Sequence, residues 1–292
     1  MEHGALTMVN PQNGNLAFKI FAFADNSHFD HLQRHNYYSL IWVKEGSGIV
    51  KADFSENEFG SSSLFAFSPY QPFLFKAEKA LSGIALQFHP DFYCIHMHQK
   101  EVACNGVLFN NIYDPPMTRI SGSDIATLDM LLVQMRNEMT NPALAQYESL
   151  VSYLKLFLIT ASRAKTSQQP SAMAAVAGLK EPFLLQNLKE AIEHNFRSKH
   201  TPADYAEVLK VPLKALARVT KNHFNKTLTD LISERIIIEA KRELYLTNKP
   251  VKEIAYDLGY SDEYYFSRFF KTNADISPQL YRDTVGFGKA AG

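Results

Sequence analysis

Residues 250–282, PVKEIAYDLGYSDEYYFSRFFKTNADISPQLYR, constrain the fold of this chain more than any other stretch. Pro250 marks the start of a short helix, because proline fits the opening helical turn. Gly259 ends that helix, since glycine adopts left-handed backbone without a Cβ clash. Ser261 is the predicted N-cap of a second helix. The stretch therefore predicts two short helices joined by a tight turn.

The second predicted helix has two different sides. Its apolar residues lie at i, i+3 and i+4, whereas polar, basic and tyrosine side chains share the opposite side. The apolar side consists of Phe266, Phe269 and Phe270, and the other side of Tyr264, Ser267, Arg268 and Lys271. A short helix with a packed aromatic side and an exposed basic side suits a recognition helix in the major groove of DNA.

This stretch resembles the second helix-turn-helix of AraC-type (AraC/XylS) transcription regulators. The likeness is carried by Ile254-Ala255, Leu258-Gly259-Tyr260, Tyr265-Phe266-Ser267-Arg268, Phe269-Phe270-Lys271 and Ser277-Pro278-x-x-Tyr281-Arg282. The family usually has glycine where this chain has Asp275, so we expect a slightly strained left-handed turn there. The resemblance implies DNA contacts from the start and outer side of the helix, at Glu263, Tyr264, Ser267, Arg268 and Lys271.

A second candidate recognition helix lies at 213–223. Thr201-Pro202 begins a preceding helix with a cap, and Lys210-Val211-Pro212 forms the turn. The outer side of this recognition helix consists of Lys214, Ala217, Arg218 and Lys221. A long amphipathic helix at 227–246 joins the two units. Residues 179–292 thus resemble an AraC-type DNA-binding domain, although Thr220 and Asn225 replace the family's usual phenylalanine and glycine.

The first part of the chain has a different pattern. Residues 15 to about 95 alternate aromatic and β-branched runs with turn clusters, one of them at 55–63, which predicts a sandwich or small barrel. This pattern is similar to the cupin-like sensor half of many AraC-type regulators. The predicted fold class is therefore α+β, with a cupin-like β-barrel over 1–120 and an all-α double helix-turn-helix domain after it.

Small barrels have an open mouth in which an apolar pocket with a few polar groups can hold a ligand. Most aromatic side chains of the strands must form the core. We predict an effector pocket with His35, Tyr37 and Gln87 as its polar groups, occupied by a small organic molecule and not by a metal.

Helical periodicity begins at residue 123. Apolar residues recur over 124–139 and 143–164, which predicts a helical hairpin over 121–164 capped by Ser121 or Ser123. The hairpin could simply cover the barrel, or it could form a dimer interface, which is its role in the resembled family. Residues 165–178 are polar and then small, so we interpret them as the interdomain linker.

A metal-dependent cupin enzyme with a helical extension is the alternative function. His96, His98 and Glu101 imitate part of a cupin metal motif, with Cys94, Cys104 and His35 nearby in sequence. They follow the strand series, however, and no later histidine in this half completes the site. We therefore predict no metal, no other cofactor and no catalytic site, since the nucleophile-elbow, P-loop and zinc-protease motifs are absent from the sequence.

The length suggests two domains, but a net charge of zero is unusual for a DNA-binding protein. The 292 residues carry no net charge, but residues 1–178 have a net charge of −3 and residues 179–292 of +3. No long apolar segment or secretory signal is visible, and two cysteines are too few for a disulfide framework, so we expect a cytoplasmic protein. The predicted function is sequence-specific transcription regulation, with activation as the family's commoner mode. Double-stranded operator DNA, RNA polymerase, an unidentified effector and a second copy of the chain are the candidate partners.

Overall fold

The computed structural model describes residues 4–12, 14–53, 55–98, 102, 106–168 and 180–285. The chain forms two compact units, one of Met1–Asn111 with Pro115–Gln169 and one of Ile112–Asp114 with Pro170–Gly292. Among the described residues, the strands lie in the first unit and the second unit is helical. The predicted α+β class is confirmed.

The first unit contains two antiparallel sheets. The six-stranded sheet has the order β1-β2-β8-β3-β6-β9, and the three-stranded sheet has the order β5-β4-β7. The strands are β1 (Leu6–Val9), β2 (Leu16–Phe23), β3 (Tyr38–Glu45), β4 (Gly48–Ala52), β5 (Ser55–Phe59), β6 (Ser63–Phe67), β7 (Phe73–Ala77), β8 (Ser82–Phe88) and β9 (Met117–Arg119).

Both faces of the larger sheet are apolar, because one packs in a core with the smaller sheet and the other in a core with two helices. Successive side chains of a strand point to opposite faces. In β3, Ile41 and Val43 join the phenylalanine-rich core that includes the smaller sheet, whereas Leu40 and Trp42 join a core that includes the two helices of this unit. Phe67 and Phe73 stack with ring centroids 3.9 Å apart. The predicted aromatic residues of the strands therefore form core.

The two helices of this unit are α1 (Ser123–Thr140) and α2 (Gln146–Gln168). The predicted serine cap of α1 is wrong, because Gly122 occupies the cap position and no side chain caps the helix. Residues 165–168, assigned to the linker, continue α2. Their polar side chains are held by the strand region: Lys165 Nζ donates to the Pro115 carbonyl over 2.7 Å, and Gln168 bonds both main-chain groups of Arg119. The rest of the predicted linker lies outside the described residues.

Three strands were not predicted, namely β1, β5 and the short strand β9. β1 begins before the expected start of the sheet and pairs with β2, and β5 occupies the first part of the predicted turn cluster 55–63. The sequence of β5, SENEF, is mostly polar because four of its five side chains are not buried. Edge strands of this kind lack the apolar run on which strand prediction depends.

The second unit contains seven described helices. They are α3 (Lys180–Asn195), α4 (Pro202–Leu209), α5 (Leu213–Phe224), α6 (Leu228–Leu246), α7 (Val251–Asp257), α8 (Glu263–Ala274) and α9 (Pro278–Val285). Helix α6 buries the predicted apolar side against the others. Within the described parts of the chain, no helix is long and apolar enough to cross a membrane.

Candidate nucleic-acid interface

Helices α7 and α8 form the predicted second helix-turn-helix. Gly259 has φ +81°, and the amide of Tyr260 donates to the Ala255 carbonyl, which closes the end of α7 as a Schellman motif does. The prediction of Ser261 as N-cap of α8 is wrong. Asp262 is the cap, and its carboxylate accepts hydrogen bonds from the amides of Tyr264 and Tyr265 at 2.7 and 3.2 Å.

Helix α8 presents two sides, as the periodicity predicts. Phe266 and Phe270 are fully buried, whereas Phe269 is only partly buried. On the outer side Tyr264 is 77% exposed, Arg268 and Lys271 are exposed, and Glu263 and Ser267 are half-buried. The five predicted contact residues thus line one side and the start of a single helix.

The turn after α8 leads to α9, which is hydrogen-bonded to the chain near the end of α6. Asp275 adopts left-handed backbone with φ 59°, as expected for the position where the resembled family has glycine. Arg282 of α9 donates to the carbonyls of Leu244 at 3.2 Å and Lys249 at 2.6 Å, near the end of α6. A cation suits the negative end of a helix dipole, so Arg282 stabilises the domain from within.

The first helix-turn-helix consists of α4 and α5. Thr201 and Asp204 form a reciprocal capping box at the start of α4, and Lys210 ends that helix in left-handed backbone. In α5, Leu216, Val219 and Thr220 are buried. The predicted contact residues Lys214, Ala217, Arg218 and Lys221 are all exposed. Asn225 has φ 53°, the left-handed conformation that glycine adopts readily, and the resembled family usually has glycine at this position.

The basic side chains on the outer sides of α5 and α8 differ in their ion pairing from three other arginines of the unit. Across the described residues, no acidic side chain pairs with Lys214, Arg218, Lys221, Arg268 or Lys271. By contrast, Arg197, Arg235 and Arg242 all bond the carboxylate of Glu239. Five exposed cations without acidic partners remain available to phosphates or base edges.

Sequence reasoning missed residues that position the two recognition helices. Asp262 could have been found, because aspartate is as good an N-cap as serine. Glu239 and Arg197 could not, since they are 42 positions apart in sequence and meet only in the folded domain. Tyr265 is 58% exposed beside Tyr264, and in the sequence only the family likeness points to it.

Of the predicted effector residues, Gln87 lies in β8 on the same strand face as Ala85 of the phenylalanine-rich core, whereas His35 and Tyr37 precede β3. His35 stacks on Tyr37 with ring centroids 4.6 Å apart, and its Nε2 lies 2.8 Å from Gln33 Oε1. Burial lowers the pKa of His35, as do the positive charges of Lys19 and His31. Burial also raises the pKa of Tyr37 to about 12.

Gln87 of β8 is opposite Lys19 of β2 in register and is buried. No hydrogen-bond partner for Gln87 Oε1 is found among the described residues. Gln87 and Lys19 thus share a face of the larger sheet, and no hydrogen bond between His35 and Gln87 is found within the described structure.

The histidines considered for a metal follow β8 in a segment of turns. His98 stacks on Tyr93 at 4.8 Å, and Cys94 is buried. Glu101 and Cys104 lie outside the described residues. In the part of the chain that the structure describes, no three His, Cys, Asp or Glu side chains are grouped to hold a metal ion.

Helices α4–α9 contain two helix-turn-helix units joined by the long helix α6. Comparison with known proteins agrees, since residues 205–284 match the family model of a helix-turn-helix domain. The transcriptional activator RhaS of Mannheimia succiniciproducens is 31% identical over 91 residues, which are 31% of this chain and 34% of that protein. The transcriptional activator Btr of Bacillus subtilis is 23% identical over 248 residues, which are 82% of this chain and 43% of that protein.

Among solved structures, ToxT from Vibrio cholerae is 15% identical, with 92% of this chain and 98% of that chain covered and a TM-score of 0.41. The chain spans less than half the length of the RhaS and Btr relatives. The family match and the activators show the predicted resemblance to AraC-type transcription regulators, and it is strongest in the C-terminal helices.

Proposed function

We propose that this protein is a sequence-specific transcription regulator that binds two major-groove segments of an operator through α5 and α8. The observation that carries the proposal is the repeated arrangement of α5 and α8. Each is the second helix of a helix-turn-helix, is buried on one side, and presents exposed cations without acidic partners among the described residues. Such helices place their exposed side in the major groove.

We further propose that the regulator activates transcription. The names of RhaS and Btr as transcriptional activators support this direction. RNA polymerase is then a further partner, and the cytoplasm is the place of action because operator DNA must be accessible. Neither the family match nor these relatives give support to a metal-dependent cupin enzyme.

A homodimer is part of the proposal. Helices α1 and α2 bury one side in the core of the first unit, yet they also carry apolar side chains that are about half exposed. These are Met130 (56%) and Val133 (54%) of α1 and Leu156 (51%) of α2. Exposed apolar side chains on adjacent helices support a contact with a second copy of the chain.

The first unit is proposed to sense a small organic effector at His35, Tyr37 and Gln87. The support is the buried Gln87 Oε1, for which no partner is found within the described residues, on a strand whose register places Gln87 opposite Lys19 of β2. A buried carbonyl without a donor is costly, so a ligand N–H or O–H would be bound there favourably.

The test is DNA binding by the full chain as a function of salt. Sites are first selected from random duplexes, and affinity is then measured at several salt concentrations. We expect log K to fall linearly with log salt, because the exposed cations displace counterions from phosphates. Metal analysis of the same sample provides the contrast, since stoichiometric metal without salt-dependent DNA binding would favour the enzyme.

A further inference from the structure

Helix α6 connects the two helix-turn-helix units, and a contact between two turns joins them at a second place. The turn 196–201 precedes α4, and the turn 258–262 connects α7 with α8. A Cβ added to Gly259 would lie 2.2 Å from the carbonyl oxygen of Arg197, so the two turns meet backbone to backbone. With φ +81°, Gly259 is also in a conformation that other residues rarely adopt.

Side chains extend this contact to a recognition helix. The rings of His200 and Tyr260 stack with centroids 4.6 Å apart. His200 directly precedes Thr201, the cap of α4, and Tyr260 packs on Phe266 and Phe269 of α8 with centroids 5.3 and 5.4 Å away. A continuous series of packed groups therefore leads from the start of the first unit to α8.

An ion pair network fastens the same turn to α6 and α7. One guanidinium nitrogen of Arg197 donates to Glu239 of α6 over 2.6 Å, and the other to the Asp257 carbonyl at the end of α7 over 3.4 Å. Glu239 is only 5% exposed and also bonds Arg235 and Arg242. A buried carboxylate paired this fully holds its partners in a defined geometry.

We infer that Arg197, His200, Glu239, Gly259 and Tyr260, here named the turn junction, fix the placement of α5 relative to α8 and so set the DNA spacing that the protein accepts. If α6 alone connected the two helix-turn-helix units, each unit could still rotate relative to α6 about its flanking loop, 225–227 or 247–250. A second contact between the units restricts this rotation. The turn junction would act as a positioning group, and the inference rests on the proposed binding of two DNA segments.

The spacing preference of the full chain tests this inference. Duplexes carry the selected site with zero, one or two base pairs added between its segments, and each added pair shifts one segment by ~3.4 Å and rotates it by roughly 35°. The variants are Arg197→Met and His200→Ala. His194→Ala is the matched control, because His194 is an exposed histidine of α3 whose Nδ1 bonds the Glu190 carbonyl of its own helix.

For the wild type and the control, one added pair should weaken binding about tenfold, comparable with the loss of one matched base pair. In both junction variants we expect this penalty to shrink to about threefold or less, since the recognition helices can then adjust to each other. The affinity of both junction variants for a duplex that carries only the α8 segment should equal that of the wild type. That equality separates positioning from damage to α8 itself.

Three results would overturn the inference. Junction variants that keep the wild-type penalty show that the contact does not set the spacing. Variants that lose affinity for the single-segment duplex as strongly as for the full site show a general structural role. A wild-type protein that protects one segment alone refutes the binding of two segments, and with it the proposed function on which the inference rests.

Discussion

At the scale of single residues, Arg268 and Lys271 should have different roles on DNA. Arginine can form two hydrogen bonds with guanine, worth about 1–3 kcal/mol of discrimination, so Arg268→Ala should weaken the selected site and relax base preference. Lys271→Ala should weaken all sequences alike and reduce the salt slope by roughly one unit. Binding of a site library by both variants measures this, and an unchanged preference in Arg268→Ala with an intact fold would contradict the assignment.

Glu239 should make stability depend on pH. Burial alone would raise the pKa of its carboxyl, but Arg235, Arg242 and Arg197 lower it below the ordinary value of 4.5. Because the folded carboxyl binds its proton more weakly, its contribution is present above the unfolded pKa and is lost as the pH falls through the folded pKa. In urea unfolding, Glu239→Gln should differ from the wild type more at pH 7 than at pH 3. A pH-independent difference would contradict this expectation.

The sequence predicts the site residues that belong to a local sequence pattern. The exposed side of α8, from Tyr264 to Lys271, follows from helical periodicity, whereas the left-handed turn at Asp275 is expected from the family resemblance, in which glycine holds that position. Glu239 could not be foreseen, because an acidic residue on an amphipathic helix is normally solvated. It is the folded domain that brings Arg197 to it.

At the scale of elements, the cap of α8 offers a direct comparison of two neighbouring side chains. Asp262→Ala removes an acceptor for two amides and should lower the free energy of unfolding by about 0.5–2 kcal/mol. Ser261→Ala, its matched control, should leave stability unchanged, since Ser261 does not cap the helix. Thermal or denaturant unfolding of the two variants measures the difference. A larger loss in Ser261→Ala would restore the serine as the cap.

Elements with strong apolar periodicity were predicted well, whereas polar elements held by contacts with other elements were not. Helices α5, α6 and α8 lie where their apolar spacing places them. Strand β5 and the last turn of α2 are polar in sequence, and each is held by partners that a local pattern cannot show. For β5 the partner is β4, and for α2 it is the main chain at Pro115 and Arg119.

At the scale of the whole molecule, effector and operator binding should be linked. An effector can act only through different affinities for two arrangements of the protein, so operator DNA must change effector affinity by the factor by which the effector changes operator affinity. Small organic metabolite fractions should raise the melting temperature of the full chain, and Gln87→Leu should abolish that response. If no fraction changes either melting or operator binding, the first unit is better described as a dimerisation domain.

The central claim is that α5 and α8 bind DNA together, and a hydroxyl-radical footprint of the full chain on a selected site tests it most directly. We predict two protected segments per protomer on one face of the duplex, about one helical turn or roughly 34 Å apart. Lys214→Ala with Arg218→Ala should remove protection from one segment, and Arg268→Ala from the other. Protection of one segment alone, or loss of the same segment in both sets of variants, would contradict the account.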